Sequence, residues 1–399
     1  MKKFLSMALI AATAIAANAQ KATVDQAAKL AGKDNNQARE LLKQAMENPE
    51  TAKDARTYYV LGKMEFDAYD KALSKQMINP QDPSVNPVEM ANEIIKGYNA
   101  FIKGLPFDSL PNEKGQVKPK YSKDMIGKMN GHHNDYWNAG GALYEAKDYY
   151  PGAYTAFMIY GDMPSQPWAS KNVAAVPDST INTAYFNAGI SAYAGNALED
   201  AAKAFKSARL KGTDNPQNYI YEIACWQYIA NNDSTKAELA KTNIGEIAQA
   251  GFQKFGVTQP LFLNNLVNSY IIDNQIEKAL ELVNGQLASN EAPWLYGLQG
   301  YIYDRMNKDD ESVAAYKKAA KLDGVDFETL KNAAKKVFRV GTSKLNEADP
   351  NNAAARTQIK TDYFDYAKQL ANQAKALNAD DPNLNDVIES IDYAISTYF

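Results

Sequence analysis

The sequence predicts an all-α chain made of stacked helix–turn–helix units, and two observations carry that expectation. One spacing recurs along the chain: an aromatic or large aliphatic residue, residues three and four positions on that are mostly aliphatic or small, and usually an aromatic three further. Nine residues later comes an alanine or serine, with a large residue four after it. The connection between the two halves of a unit recurs too, with asparagine at a fixed place. Offsets of three and four share one helical face, and self-similarity at a fixed period is the mark of a repeat array.

Taken in order, residues 1–19 read as a removable leader. Lys2-Lys3 is its positive start, Phe4–Ala16 its apolar stretch and Ala17-Asn18-Ala19 its small-x-small cleavage site. The apolar stretch falls short of the ~20 residues that span a bilayer, and no second candidate span follows. Cleavage leaves Gln20 first rather than a cysteine, so no lipid anchor is expected. The mature chain is expected to be exported and soluble, in a periplasm.

The array then runs over residues 20–399. Degenerate units occupy residues 21–120. A partial hairpin with Ala38, Leu42 and Ala45 comes first, then a unit opened by Tyr58, Leu61 and Gly62 and split by the Pro-punctuated stretch Asn79–Pro87. Its second helix is expected from Val88 to Lys103, followed by a polar loop from Leu105 to Lys120. Clearer units fill residues 134–323. They open at Trp137 (with Gly140, Gly141, Tyr144), Tyr185 (Ala188, Gly189, Ala192), Leu263 (Leu266, Val267, Tyr270) and Tyr296 (Gln299, Gly300, Tyr303). Their second halves are Ala153/Phe157/Tyr160, Ala201/Phe205/Ala208, Ala279/Val283 and Ser312/Tyr316/Ala319. A weaker copy starts at Tyr221, and a second loop with three prolines spans Asp162–Ser179. Residues 326–382 are expected to form long helices broken near Asp349-Pro350, and residues 384–399 an amphipathic capping helix. In the turns, Asn196 and Asn274 each precede a glutamate by three residues, which predicts Asn caps for the second helices; Asn307 and Asn232 stand at the same register.

This spacing resembles the tetratricopeptide (TPR) repeat, specifically in five units and weakly in the rest of residues 21–382. The resemblance implies 34-residue hairpins stacked into a right-handed superhelix, a TPR-like α-solenoid. Gly189 and Gly300 would let paired helices approach, with Phe205 and Tyr316 filling the space opposite. The family lines its concave groove from the first helix of each unit. Carried over by register, the groove residues are Asn138, Glu145, Phe186, Tyr193, Glu222, Trp226, Asn264, Asn268, Trp294, Tyr301, Asp304 and Arg305. Family members that grip a C-terminal carboxylate pair use Lys at a fifth position and Asn at a ninth. Here the fifth positions are Asn138, Phe186, Glu222, Asn264 and Gly297, and only Asn268 matches at a ninth.

Composition and motifs narrow the function. With 43 Lys+Arg against 47 Asp+Glu the formal charge is -4, which argues against a nucleic-acid binder. Cys225 is the one cysteine, so an intramolecular disulfide is excluded and a buried small residue is expected there. Neither H-E-x-x-H, a phosphate-binding glycine loop, nor C-x-x-C occurs. Gly189-Ile190-Ser191-Ala192-Tyr193 misses the second glycine of a nucleophile elbow. His132 and His133 are the only histidines; adjacent on a helix they point about 100° apart, and they are expected as a polar helix start rather than metal ligands. The Asp/Asn clusters are expected to cap helices rather than hold calcium. What remains is a docking surface. The expected function is an exported, non-enzymatic scaffold, without cofactor or metal, that binds a protein or peptide in its groove. The competing expectation is a carbohydrate-binding accessory of an outer-membrane uptake system, because a glycan-binding family also embeds TPR-like helices.

Overall fold

The computed structural model describes residues 22–111 and 114–399; the leader expected at residues 1–19 lies outside them. Among the described residues the secondary structure is helical, apart from one isolated bridge between Pro111 and Val117. The chain divides into two compact units at Ala240/Lys241.

The first unit holds α1 (residues 22–30), α2 (Asn35–Glu47), α3 (Ala55–Ile78), α4 (Pro87–Asp108), α5 (Ser122–Gly131), α6 (His133–Glu145) and α7 (Tyr150–Asp162). A short α8 (Lys171–Ala174), α9 (Asp178–Ala194), α10 (Leu198–Leu210) and α11 (Pro216–Asn232) complete it, and α12 (Ala237–Phe255) spans the division. The second unit holds α13 (Pro260–Ile272), α14 (Ile276–Leu287), α15 (Pro293–Arg305), α16 (Asp309–Ala319), α17 (Phe327–Glu347), α18 (Ala353–Ile359), α19 (Tyr366–Leu377) and α20 (Pro382–Tyr398). A π-helical segment, Lys360–Asp365, joins α18 to α19. Many starts follow local chemistry. Asp34, Asn86, Asn215, Asp326 and Asp381 accept backbone N–H bonds as caps, and proline opens α4, α11, α13, α15 and α20.

Helices pack as antiparallel-type hairpins, each second helix meeting the first helix of the next: α6 on α7, α7 on α9, α9 on α10, α10 on α11. The second unit repeats this with α13, α14, α15, α16 and α17 in succession. At the contact a glycine faces an aromatic ring, as the sequence predicts. A Cβ on Gly189 would sit 2.4 Å from Phe205, one on Gly140 2.8 Å from Phe157, and one on Gly300 2.9 Å from Tyr316. In α3/α4 the device is reciprocal: Gly62 faces Phe101 and Gly97 faces Phe66. The predicted small residues Ala188, Ala192, Ala201 and Ala208 are buried with them. This repeated interlock makes the chain an all-α, TPR-like array of helical hairpins, closed by α20 packed on α19 and α17.

The turn asparagines do something other than the sequence predicts. Asn196, Asn274 and Asn307 do not cap the second helices, which have no side-chain cap bond. They end the first helices in the left-handed region, at φ 58°, 56° and 56°. The backbone closes the helix end behind each one: Ala197 N–H reaches Ala192 O at 2.8 Å, Gln275 reaches Tyr270 at 2.7 Å and Lys308 reaches Tyr303 at 2.9 Å. These are six-to-one closures of the Schellman kind, and asparagine tolerates that φ better than most side chains. Lys147 holds the same conformation after α6. Asn232 does not share the register: α11 runs through it, and Asp233 caps the next turn by accepting from Thr235 N–H at 3.0 Å.

The expected loop at Leu105–Lys120 starts late, because α4 continues through Pro106 to Asp108. Asp108 is buried there and accepts from the N–H groups of Lys120, Tyr121 and Ser122 and from the Ser122 hydroxyl, which ties the loop's far end to α4. The break near Asp349-Pro350 falls between α17 and α18. Tyr144, expected in the apolar set, is instead exposed beside Tyr150.

Candidate functional site: a concave surface in the second unit

Four of the predicted groove residues converge in the second unit. Asn264 and Asn268 of α13, with Trp294 and Tyr301 of α15, line one open cavity of about 640 Å³. Their spacing places them there: positions 264 and 268 are one turn apart, and 294, 298 and 301 share a stripe of α15. The floor forms where α15 and α17 come together. Gly297 has no side chain because Thr329 occupies the space, 2.7 Å from where a Cβ would stand. Buried Thr329 is fixed in turn by Asp326, which accepts from its N–H at 2.9 Å and its hydroxyl at 2.6 Å. Asp326, Glu328 and Asn332 complete the wall.

Trp294 lies half-buried against the cluster of Leu263, Val267, Leu295 and Ile302, and Asn264, Asn268 and Asn332 are exposed. Among the described residues, Trp294 and Tyr301 enter no ring–ring pair, and the Asn264, Asn268 and Asn332 amides have no hydrogen-bond partner. In the first unit the predicted aromatics Phe186 and Tyr193 do meet other rings. Phe186 lies 5.9 Å from Phe205 and 6.1 Å from Tyr221, and Tyr193 meets Tyr221 at 5.7 Å and Tyr228 at 6.3 Å. Trp226 packs half-buried against the same cluster. Asn138 lines a separate small cavity of about 140 Å³ beside Tyr69 and Met90. Glu145 and Arg305 are exposed on their helices.

Two predicted groove residues serve packing instead. Glu222 is fully buried, and Arg209 of α10 donates to it from Nε at 2.7 Å and a terminal nitrogen at 2.9 Å. It locks one hairpin to the next and presents nothing to a groove. Arg39 and Glu65 form the same bidentate pair between α2 and α3. Asp304 is drawn to α17, where it accepts from buried Lys336 at 2.6 Å and pairs with Arg339. Burial opposes its charge, but those two cations outweigh it and hold the carboxyl below the usual range.

The remaining chemistry-bearing groups are quiet. Cys225 is buried, and burial with Glu222 nearby pushes its thiol up to about 12, so it stays protonated. His132 contacts Asp135 at 2.8 Å and Asp70 at 3.3 Å. His133 is not a polar helix start: it is buried, stacked on Tyr160, with Nε2 2.9 Å from that residue's carbonyl oxygen. Burial lowers its pKa more than the carbonyl bond raises it. The unfolded chain therefore takes up this proton first, so His133 favours folding above about pH 6.5 and the contribution fades below it. Urea midpoints should fall more steeply on acidification for wild type than for His133→Gln; equal slopes would exclude the linkage. Among the described residues no three His, Cys, Asp or Glu side chains are grouped to hold a metal ion, and no helix is long and apolar enough to cross a membrane.

No family model and no curated protein matches the chain. Solved structures that match it include a chain of the APC/C hetero-tetramer Cut9-Hcn1, at 13% identity and TM-score 0.34, over 89% of this chain and 59% of that one. The chain thus spans less than two thirds of that protein's length. The TPR domain of P58(IPK) matches at 13% identity and TM-score 0.28, over 94% of this chain and 98% of that one. Yeast Tom70 matches at 14% identity and TM-score 0.25, over 95% and 96%.

Proposed function

We propose that this chain is an exported, non-enzymatic scaffold that docks an extended protein segment on the surface formed by α13, α15 and the start of α17. The observation that carries the reading is the convergence of Trp294, Tyr301, Asn264 and Asn268 on one cavity, with no other ring stacked on the two aromatics and the amides exposed. Such a surface suits a peptide: rigid aromatics anchor its side chains and amides bond its backbone. Export rests on the leader at residues 1–19, and mass spectrometry of the secreted chain should find Gln20 first. No specific observation favours a glycan over a peptide.

Random displayed peptides selected on the full chain test the reading. Binders should lose about tenfold or more in affinity on Trp294→Ala or Tyr301→Ala, the behaviour of an aromatic anchor, while helical circular dichroism persists. Equal binding to wild type and both variants would remove this surface from consideration.

A further inference from the structure

We infer that the segment docked on this surface presents a Lys or Arg side chain between Trp294 and the first turn of α17; the inference rests on the docking reading above. The charge of the lining decides it. Asp326 and Glu328 are carboxylates, both exposed, and no Lys or Arg stands among the residues that line the cavity. The cation nearest in sequence, Lys331, sits between Glu328 and Asp381 and offsets only part of the local negative charge. It contacts Glu328 at 2.8 Å and Asp381 at 3.4 Å and lies over the Phe327 ring at 4.6 Å.

The opposing influence is the N-terminus of α17, whose free N–H groups favour an anion. It amounts to about half a positive charge, and even together with Lys331 it falls short of the carboxylates of Asp326, Glu328 and Asp381. Asp326 also takes up the Thr329 N–H that an incoming anion would need. A carboxylate-bearing segment is therefore repelled. A cationic one gains twice: its head meets the remaining lone pairs of Asp326 and those of Glu328 that Lys331 leaves open, and its methylene stem lies along aromatic faces that no other ring covers. Asn264, Asn268 and Asn332 remain available for the backbone on either side.

The test uses the full chain and a displayed library of random peptides selected at low and at high salt. A selected peptide is then synthesised with its basic residue intact, replaced by Gln and replaced by Glu, and each is titrated calorimetrically. Selection should enrich Lys or Arg at one position, and the Gln peptide should bind about tenfold more weakly, the size of a lost charge-assisted hydrogen bond. Asp326→Asn with Glu328→Gln should abolish the difference between Lys and Gln peptides, since Asn still caps α17. Glu328→Gln alone, at an exposed position, should shrink it if the double variant folds poorly. Peptides that need Trp294 but are neutral or acidic throughout, or a Lys preference that survives in the variants, would overturn the cationic side chain and leave docking intact. Failure to select any Trp294-dependent peptide would overturn both.

Discussion

Phe205→Ala should destabilise the first unit by about 3–5 kcal/mol, the range for deleting a buried phenyl ring. Phe205 is fully buried, stacks on Tyr221 at 5.5 Å and fills the space that Gly189 leaves open. Gly189 has no side chain with which to fill the gap. In a repeat array each hairpin draws part of its stability from its neighbours, so the loss should spread to α11. Urea unfolding followed by circular dichroism measures it. A loss under about 1 kcal/mol would mean that the ring is not the interlock described here.

Arg209→Met should cost a similar amount, about 3–5 kcal/mol, because it removes two charge-assisted donors from the buried Glu222 carboxylate. The guanidinium supplies two aligned donors to that carboxylate, and methionine supplies none. The double variant Arg209→Met with Glu222→Met should recover most of the loss, since replacing both partners removes the buried charge. Urea midpoints of the three variants separate the cases. A single variant as stable as wild type would show that Glu222 finds its compensation elsewhere.

The hairpin core was legible because its rules are local. Gly189, Ala201 and Phe205 follow helical offsets, and those offsets are met in the folded chain. Asn196 was harder, because asparagine suits both a helix start and a left-handed helix end; only the backbone, at φ 58°, separates the two. Glu222 sat at a groove position by register, and nothing in its own neighbourhood of sequence pointed to Arg209, thirteen residues earlier. His133 looks polar in its own sequence neighbourhood for the same reason: the carbonyl and ring that bury it belong to Tyr160, twenty-seven residues on. On the concave surface, Asn264, Asn268, Trp294 and Tyr301 were reachable from the repeat register. Asp326, Glu328 and Asn332 were not, because α17 does not carry the repeated spacing and no register could be laid on it.

Hydrogen-exchange footprinting of the full chain with a selected peptide tests the central claim most directly. The account predicts slowed exchange in α13, in α15 and in the first turns of α17, with little change in α1–α10. Protection confined to the first unit, or to α18–α20, would contradict it and place the docking surface elsewhere.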